Sequence, residues 1–345
     1  MSSLPLRSLR LPDLERLMEE LKEPQYRAKQ IFSWIHQHGV TSTEHMTNIS
    51  KNLRARLAES VEFSPLVLDE TLESEDGTRK FRFLCSDNSA IESVLIPARN
   101  KQTLCVSTQV GCALGCRFCA TAQMGMKRNL NPGEIVDQVY RVRSMLLENQ
   151  RISNLVFMGM GEPMANLDNV LTAVEILCQD IGANFSPRKI TISTAGMVPG
   201  IVKMGELAPR VGLARSLHAT TDAVRTRVMP ITHRGPIQQW IDALRQYPLP
   251  KRRRITIEYV LIAGLNDTLA DAKRLPALLN KIPVKINLLA YNPCRIDQPD
   301  FERPSDESVE AFAERLRIKG LHTTVRQSRG TDIAAACGQL VIGTN

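Results

Sequence analysis

The chain has 345 residues, of which 43% are hydrophobic and 23% charged, a globular composition whose length predicts one large domain and a smaller one. No apolar run reaches the roughly 18 residues of a membrane span and the charged first residues do not resemble a signal peptide, so we expect a cytoplasmic protein with no membrane partner. The net charge of +8, from 44 Lys and Arg against 36 Asp and Glu, suits a polyanionic partner, although a basic surplus can also serve solubility alone.

The first hundred residues predict a small α+β region. Helical spacing of apolar residues predicts helices over Leu11–Leu21 and Tyr26–His36. Strand-like runs follow at Lys80–Leu84 and Ala90–Ile96, separated by turn residues. We therefore assign residues 1–97 to an N-terminal accessory domain.

Residues 98–345 predict an alternation of strands and helices. The strand candidates are Thr103–Gln109, Ile152–Met158, Arg188–Ser193, Val211–Leu217, Arg254–Leu261 and Val284–Leu289. Asn131, Pro132 and Glu134 mark the start of one intervening helix, as cap, first-turn proline and first-turn acid. Such alternation implies a parallel sheet, and six units fall short of a closed eight-unit barrel. We expect an α/β fold, a partial (β/α)6 barrel with its site at the carboxyl ends of the strands.

Three closely spaced cysteines follow the first of these strands. Cys112, Cys116 and Cys119 have the spacing C-x3-C-x2-C, and Gly111 and Gly115 allow a tight loop around them. A [4Fe–4S] cluster normally has four cysteine ligands. Three thiolates can hold three of its irons and leave the fourth open to a small chelating molecule.

The alternative is a zinc site that includes Cys105 as a fourth ligand. Zinc sites more often use two separated C-x2-C pairs, and Cys105 lies inside an apolar strand, so the pattern favours the cluster. We assign Cys85, Cys178 and Cys294 to packing or loops.

The segment Gly159–Pro163, of sequence GMGEP, ends the second predicted strand. It is not a dinucleotide fingerprint, because Met164 occupies the last glycine position, and it lacks the Gly-Lys-Ser/Thr of a P-loop. A plain tight turn with a surface Glu162 is the simpler alternative. At the end of a barrel strand, however, Glu162 is expected to face the site.

Together with the cysteine loop and this segment, Ser216–Ala219 (SLHA) and Ala335–Leu340 (AACGQL) resemble the RlmN/Cfr family of radical S-adenosylmethionine RNA methyltransferases. The match runs from about Ala90 to Leu340, and Pro24–Ile35 also fits. The resemblance implies the radical S-adenosylmethionine type of barrel, one [4Fe–4S] cluster on Cys112, Cys116 and Cys119, and S-adenosylmethionine as cofactor.

The resemblance also implies three catalytic residues. Cys337 corresponds to the cysteine that accepts a methyl group from one S-adenosylmethionine and then, as a methylene radical, bonds to an adenine ring. Cys105 corresponds to the cysteine that attacks the Cys337 sulfur and releases the methylated RNA through a transient disulfide. Glu92 occupies the position of the residue that takes the ring proton. Taken singly, the two cysteines are typical of core residues and Glu92 of a solvent-facing strand.

Cofactor contacts carry over in the same way. Gly161 and Glu162 correspond to the residues that hold the methionine end of S-adenosylmethionine. The remaining matched positions are Ser193, Ser216, Leu217, His218 and Asn292.

Two reaction outcomes are open within the family. Enzymes of the RlmN type methylate carbon 2 of adenine in 23S ribosomal RNA and in transfer RNA next to the anticodon, whereas those of the Cfr type methylate carbon 8 and confer antibiotic resistance. Gln109–Cys112, Ala122–Gly125 and Met160–Pro163 look more like the RlmN type, so we favour carbon 2. The resemblance further implies an electron donor such as flavodoxin or ferredoxin, and we expect a monomer.

A zinc-stabilised RNA-binding module without catalysis is an alternative from another class of protein. In either case RNA needs cationic contacts. The candidates are Arg27, Lys29, Lys127, Arg128, Arg225, Arg227 and the run Lys251–Arg254.

Overall fold

The computed structural model describes residues 4–63, 66–99, 101–230, 235–294 and 301–340. In the parts described, the strands are β1 (Leu4–Pro5), β2 (Val61–Glu62), β3 (Val67–Glu73), β4 (Arg79–Leu84), β5 (Ala90–Ala98), β6 (Lys101–Cys105), β7 (Gln109–Gly111), β8 (Met126–Asn129), β9 (Asn154–Phe157), β10 (Ile190–Thr194), β11 (Gly212–Ser216), β12 (Ile255–Leu261), β13 (Val284–Ala290) and β14 (Thr323–Arg326). The α-helices there are α1 (Leu11–Glu20), α2 (Tyr26–His36), α3 (Lys51–Ser60), α4 (Ala120–Gln123), α5 (Pro132–Ser144), α6 (Leu167–Cys178), α7 (Val198–Leu207), α8 (Asp222–Val228), α9 (Ile237–Gln246), α10 (Leu269–Leu278) and α11 (Asp306–Ile318).

One ten-stranded sheet organises the molecule, in the order β14-β13-β12-β11-β10-β9-β6-β5-β4-β3. In this sheet β6 and β9 to β14 pair in parallel, whereas β3, β4, β5 and β6 pair antiparallel. Helices fill the crossovers between the parallel strands, as the right-handed βαβ rule requires. Residues of β5 and β6 border the same cavity as residues of β13 and β14, so the sheet curves into a partial barrel. The predicted α/β class is confirmed.

All six predicted parallel strands are present, with two differences. The first ends at Cys105 instead of Gln109, because Gln109–Gly111 turns away to pair antiparallel with Met126–Asn129. A seventh parallel strand, Thr323–Arg326, was not predicted. It is short and only its first residue is buried, so it lacks the apolar run by which buried parallel strands are recognised.

The N-terminal helices pack on α5 through buried polar contacts. Ser8 Oγ accepts a hydrogen bond from the Gly133 amide at 2.8 Å, and His36 Nδ1 lies 2.9 Å from Tyr140 Oη. The predicted boundary at residue 97 stays a prediction, although β3 to β5 continue the sheet of the main domain. In the described residues, no helix has the length and apolar character needed to cross a membrane.

Candidate active site

The cysteine loop begins shortly after β6 and is held at both ends by backbone hydrogen bonds. The Cys112 amide donates to the Gly125 carbonyl at 2.9 Å, and the Ala120 amide donates to the Gly338 carbonyl at 2.7 Å. At Gly111, where φ is +77°, an added Cβ would lie 1.8 Å from the Gly125 oxygen, so this turn requires glycine. The far end of the loop is therefore tied to the C-terminal segment.

Cys112, Cys116 and Cys119 all border one cavity of about 150 Å³. Burial raises the pKa of each thiol, that of Cys112 to about 12, so iron would displace protons when it binds. The described residues contain no group of three His, Cys, Asp or Glu side chains arranged around a single metal ion. A [4Fe–4S] cluster needs no such group, because each thiolate binds a different iron. Among the described residues lining this cavity Cys105 is absent, so the donor set fits a cluster with one open iron better than a four-cysteine zinc site.

The carboxyl ends of the parallel strands form the opposite wall of this cavity. The predicted cofactor-binding residues found there are Gly161, Glu162, Ser193, Ser216 and His218. Glu162 accepts hydrogen bonds from the Ala195 amide at 2.8 Å and the Met164 amide at 3.0 Å. Burial raises its pKa, and these hydrogen bonds oppose the shift. The carboxylate is thus fixed with lone pairs left to accept a hydrogen bond from an ammonium group.

His218 is a neutral, buried member of this wall. Its Nδ1 accepts a hydrogen bond from the Val260 amide at 3.0 Å, which leaves the proton on Nε2. Burial, with further contributions from the Arg225 and Arg215 guanidinium groups, lowers its pKa to about 3. Its ring meets Phe118 of the cysteine loop edge-on, with centroids 4.8 Å apart. His218 therefore supports the loop and can offer one N–H donor.

A second cavity, of about 90 Å³, joins the two cysteines predicted to act outside the cluster. Cys105 and Cys337 both border it, and Cys337 also borders the first cavity. Burial, followed by the neighbouring Cys337 thiol, raises the pKa of Cys105 to about 12. Cys337 keeps an exposed face toward the cavities, but the surrounding protein raises its pKa as well. All eight cysteines are unbridged in this structure. Cys337 thus lies between the three-cysteine cavity and Cys105.

Glu92 is buried on β5 and is tied to the Gly159–Pro163 segment. Its amide contacts Met160 Sδ at 3.3 Å, and its carbonyl accepts a hydrogen bond from Ser107 Oγ at 2.5 Å. Its Oε1 lies 3.2 Å from Lys80 Nζ. The expectation of a solvent-facing strand residue therefore does not apply to Glu92.

Two predicted cofactor contacts lie outside the first cavity wall. The Leu217 side chain is buried in the apolar core, and its amide donates to the Glu258 carbonyl at 3.0 Å. Asn292 borders the second cavity, where its amide group lies 3.5 Å from the Cys337 carbonyl. Its Oδ1 accepts a hydrogen bond from Ser328 Oγ at 2.6 Å. Asn292 thus holds the segment that carries Cys337.

The sequence did not identify two charged residues that border these cavities and a third that contacts Glu92. Arg326, at the end of β14, borders the second cavity, and its charge opposes the rise in the pKa of both Cys105 and Cys337. Glu258 of β12 borders the first cavity, and Lys80 pairs with Glu92. Each stands in a strand, where a charged residue usually faces solvent, so the sequence carried no signal.

The basic residues predicted to contact RNA differ in their burial, in their ion pairs and in their position relative to the cavities. Arg225 is buried behind the first cavity and donates to the Ala195 carbonyl at 2.6 Å. Arg128 pairs with Asp87 and Glu134. Lys251–Arg254 directly precedes β12, and it therefore lies at the amino end of the parallel strands, away from the cavities.

Two family models match the chain. The model described as the ribosomal RNA large subunit methyltransferase N-terminal domain matches residues 4–63, and the radical SAM superfamily model matches residues 106–275. The first range contains α1 to α3, and the second contains the cysteine loop and the parallel strands β9 to β12.

Several full-length relatives carry one name. The chain is 47% identical over 337 residues to a dual-specificity RNA methyltransferase RlmN of Geobacter sulfurreducens, covering 98% of this chain and 92% of the relative. It is 45% identical to the protein of that name from Syntrophobacter fumaroxidans, covering 99% of both chains. The crystal structure of a radical SAM methyltransferase from Sphaerobacter thermophilus superposes with a TM-score of 0.90 at 42% identity, covering 97% of this chain and 98% of that one. These matches confirm the radical S-adenosylmethionine type of barrel.

Proposed function

Because this chain belongs to the RlmN family of radical S-adenosylmethionine RNA methyltransferases, we propose that it methylates carbon 2 of adenine through an S-methylcysteine on Cys337. The proposed substrates are 23S ribosomal RNA and transfer RNA next to the anticodon, with residues 1–97 contributing to RNA contact. The protein would act in the cytoplasm as a monomer and receive electrons from a flavodoxin or ferredoxin. The observation that carries the proposal is the position of Cys337, which borders both the three-cysteine cavity and the cavity that contains Cys105.

The chemistry of the substrate explains why both cavities are needed. Carbon 2 of adenine is electron-poor and cannot attack the methyl group of S-adenosylmethionine, whereas a carbon radical can add to it. When bound at Cys112, Cys116 and Cys119, the cluster supplies the electron that splits S-adenosylmethionine, whose methionine end would lie at Gly161 and Glu162. The chain itself has to present a carbon for transfer. Cys337, on the border of the first cavity, would take a methyl group from one S-adenosylmethionine, and the splitting of a second would remove a hydrogen atom from that methyl group. Each turnover would therefore use two molecules of S-adenosylmethionine.

Cys105 completes the reaction from the second cavity. Its thiolate attacks the Cys337 sulfur, and the bond between that sulfur and the methylene carbon on RNA breaks. The electron pair of the broken bond goes to the methylene carbon, which takes up a proton and becomes the methyl group. The two sulfurs are left as a disulfide, which a cellular dithiol must reduce before the next turnover.

The choice of carbon 2 rests on the segments Gln109–Cys112, Ala122–Gly125 and Met160–Pro163, together with the name shared by the relatives. Carbon 8 is the alternative product. Mass spectrometry of nucleosides from treated RNA separates the two isomers, and 8-methyladenosine without 2-methyladenosine would overturn our choice.

We expect Cys105→Ala to trap RNA covalently on Cys337, because no thiolate remains to break the sulfur–carbon bond. Denaturing electrophoresis of labelled RNA and mass spectrometry of the adduct would detect the trapped species. Cys337→Ala should abolish methylation and form no adduct, whereas a non-catalytic zinc module would keep every function. Cys178→Ala, at the end of α6, is the matched control and should behave as wild type. Full methylation by Cys337→Ala would refute the proposal.

A further inference from the structure

A buried ion pair lies on the sheet beside the second cavity. Lys80 Nζ of β4 is 3.2 Å from Glu92 Oε1 of β5, and the two side chains are 9% and 4% exposed. Lys80 Nζ also donates to the Ala334 carbonyl at 3.3 Å. One ammonium group therefore bridges Glu92 and the segment that leads to Cys337.

The strand register places this pair on the face that carries Cys105. Lys80 is opposite Val94 on β5, and Val94 is opposite Cys105 on β6. Alternate residues of a strand share a face, so Glu92 faces the same side as Val94 and Ile96. Val94 and Ile96 border the second cavity together with Cys105 and Cys337.

We propose that Lys80 is a positioning residue for methyl transfer, which keeps Glu92 ionised and oriented and fixes the segment that carries Cys337. This inference rests on the function proposed above. Removing an ammonium group that pairs with a buried carboxylate raises the pKa of that carboxyl group and favours its protonated form. In that state Glu92 could not accept the proton of the adenine ring.

Other charged and titratable groups near Glu92 have additional or different contacts. Arg82, opposite Glu92 in the register of β4, interacts with Glu92 through its charge, and it also pairs with Asp69 and Glu70 of β3. Cys105 of β6 and Cys337 carry thiols whose pKa values are raised, and Arg326 of β14 borders the cavity. Lys80 joins Glu92 and the Cys337 segment directly, which neither Arg82 nor Arg326 does in the described residues.

The step that depends on Lys80 is a proton transfer. The proton leaves the ring carbon that has bonded to the methylene group of Cys337, and the electron pair of that C–H bond stays in the adduct. Because a radical formed the adduct, one electron must also leave it, and that electron would pass to the cluster when the cluster is bound. The Glu92 carboxylate becomes a carboxylic acid, and Lys80 remains an ammonium group. Removing the charge of Lys80 should therefore stop the reaction after the adduct has formed and before Cys105 releases it.

The test compares Lys80→Met with Glu92→Gln in the cluster-loaded protein. We expect both variants to carry a methyl group on Cys337 and to accumulate the covalent RNA adduct. Raising the pH should restore release in Lys80→Met, because Glu92 without the ammonium group of Lys80 then ionises at a higher pH, but not in Glu92→Gln. Lys80→Arg keeps the charge and should show the pH profile of wild type, and Lys101→Met, an exposed strand lysine on β6, is the matched control.

The outcomes separate this inference from the proposed function. The role of Lys80 alone would be refuted if Glu92→Gln accumulates the adduct while Lys80→Met does not and instead releases the RNA with the rate and pH profile of the wild type. No methyl group on Cys337 in the wild type and no adduct in Glu92→Gln would refute the proposed function itself. If Lys80→Met is too unstable to assay, the Lys80→Met/Glu92→Gln double variant should unfold at a higher temperature than Lys80→Met, because a neutral glutamine at position 92 does not need the ammonium group of Lys80. A double variant that is less stable would count against the ion pair.

Discussion

Of the glycines that line the first cavity among the described residues, Gly161 leaves the least room for a side chain. Its φ is +100°, and an added Cβ would lie 2.6 Å from Gln109 Cβ. Gln109 Oε1 in turn accepts a hydrogen bond from the Glu162 amide at 2.8 Å. A side chain at position 161 would therefore push apart the two segments that orient the Glu162 carboxylate.

We expect Gly161→Ala to weaken the binding of S-adenosylmethionine by about tenfold to a hundredfold, since strain of this kind costs about 1–3 kcal/mol. Anaerobic calorimetric titration of the cluster-loaded variant would measure this affinity. Gly39→Ala is the control, because Gly39 also has a positive φ of +71° but has no atom within 4 Å of the added Cβ. Equal affinities in Gly161→Ala and wild type would show that this turn does not shape the cofactor site.

At the scale of single residues, the sequence predicted a functional role where the chemistry of the site requires a particular spacing between residues. Cys112, Cys116 and Cys119 could be recognised because three ligands of one cluster must come from one short loop. Lys80 could not, because an isolated lysine in a strand is normally solvent-exposed. Only the register of β4 against β5 and the path of the C-terminal segment bury it beside Glu92.

At the scale of secondary-structure elements, the capping residues predicted from the sequence define the start of helix α5. The Glu134 amide donates to Asn131 Oδ1, and the Asn131 amide donates to Glu134 Oε2, both at 2.9 Å. Arg128 pairs with the same glutamate. This reciprocal cap fixes the start of the helix on which the N-terminal region packs.

We expect Asn131→Ala to lower the free energy of unfolding by about 1 kcal/mol, the usual cost of losing a cap. Denaturant titration of the cluster-loaded protein would measure it. Asn131→Asp should retain the cap and most of the stability. A loss of stability in Asn131→Ala no larger than that in Asn131→Asp would show that the predicted cap does not stabilise the helix.

The elements were predictable to the extent that each carries its own pattern. The strands β9 to β13 are apolar runs bounded by turn residues, and the sequence predicts all of them. Strand β14 has only the four residues Thr323–Arg326 and is defined by its pairing with β13, which is a long-range contact. Because the sequence does not predict β14, it also does not place Arg326, the last residue of that strand, at the second cavity.

At the scale of the whole molecule, hydrogen bonds hold the C-terminal segment after β14 against distant parts of the chain. Asp332 accepts a hydrogen bond from Ser74 Oγ at 2.7 Å, the Ala334 carbonyl accepts one from Lys80, and the Gly338 carbonyl accepts one from Ala120. The segment therefore spans from the antiparallel strands to the cysteine loop. Such a path, set by contacts between distant parts of the chain, has no signature in local sequence.

Two buried histidines make the stability of the whole molecule sensitive to acid. His36, the last residue of α2, contacts Tyr140 of α5, and His218 lies at the first cavity. Burial lowers the pKa of each histidine to about 3. The unfolded chain binds a proton on each near pH 6.5, whereas the folded chain does not, so stability is lost as the pH falls below about 6.5.

Each of these two histidines should remove about 1.4 kcal/mol per pH unit across that window. Carboxylates with lowered pKa, such as Asp87, lose their stabilising charge only at lower pH, and the buried carboxyl groups of Glu162 and Glu258, whose pKa is raised, contribute in the opposite direction. We therefore expect the histidine contribution to lower the free energy of unfolding between pH 6.5 and 5. In His36→Gln, whose amide can still bond Tyr140, that slope should fall by the contribution of one proton. Anaerobic denaturant titrations of both proteins at several pH values would measure it, and identical slopes would show that His36 takes up no extra proton on unfolding.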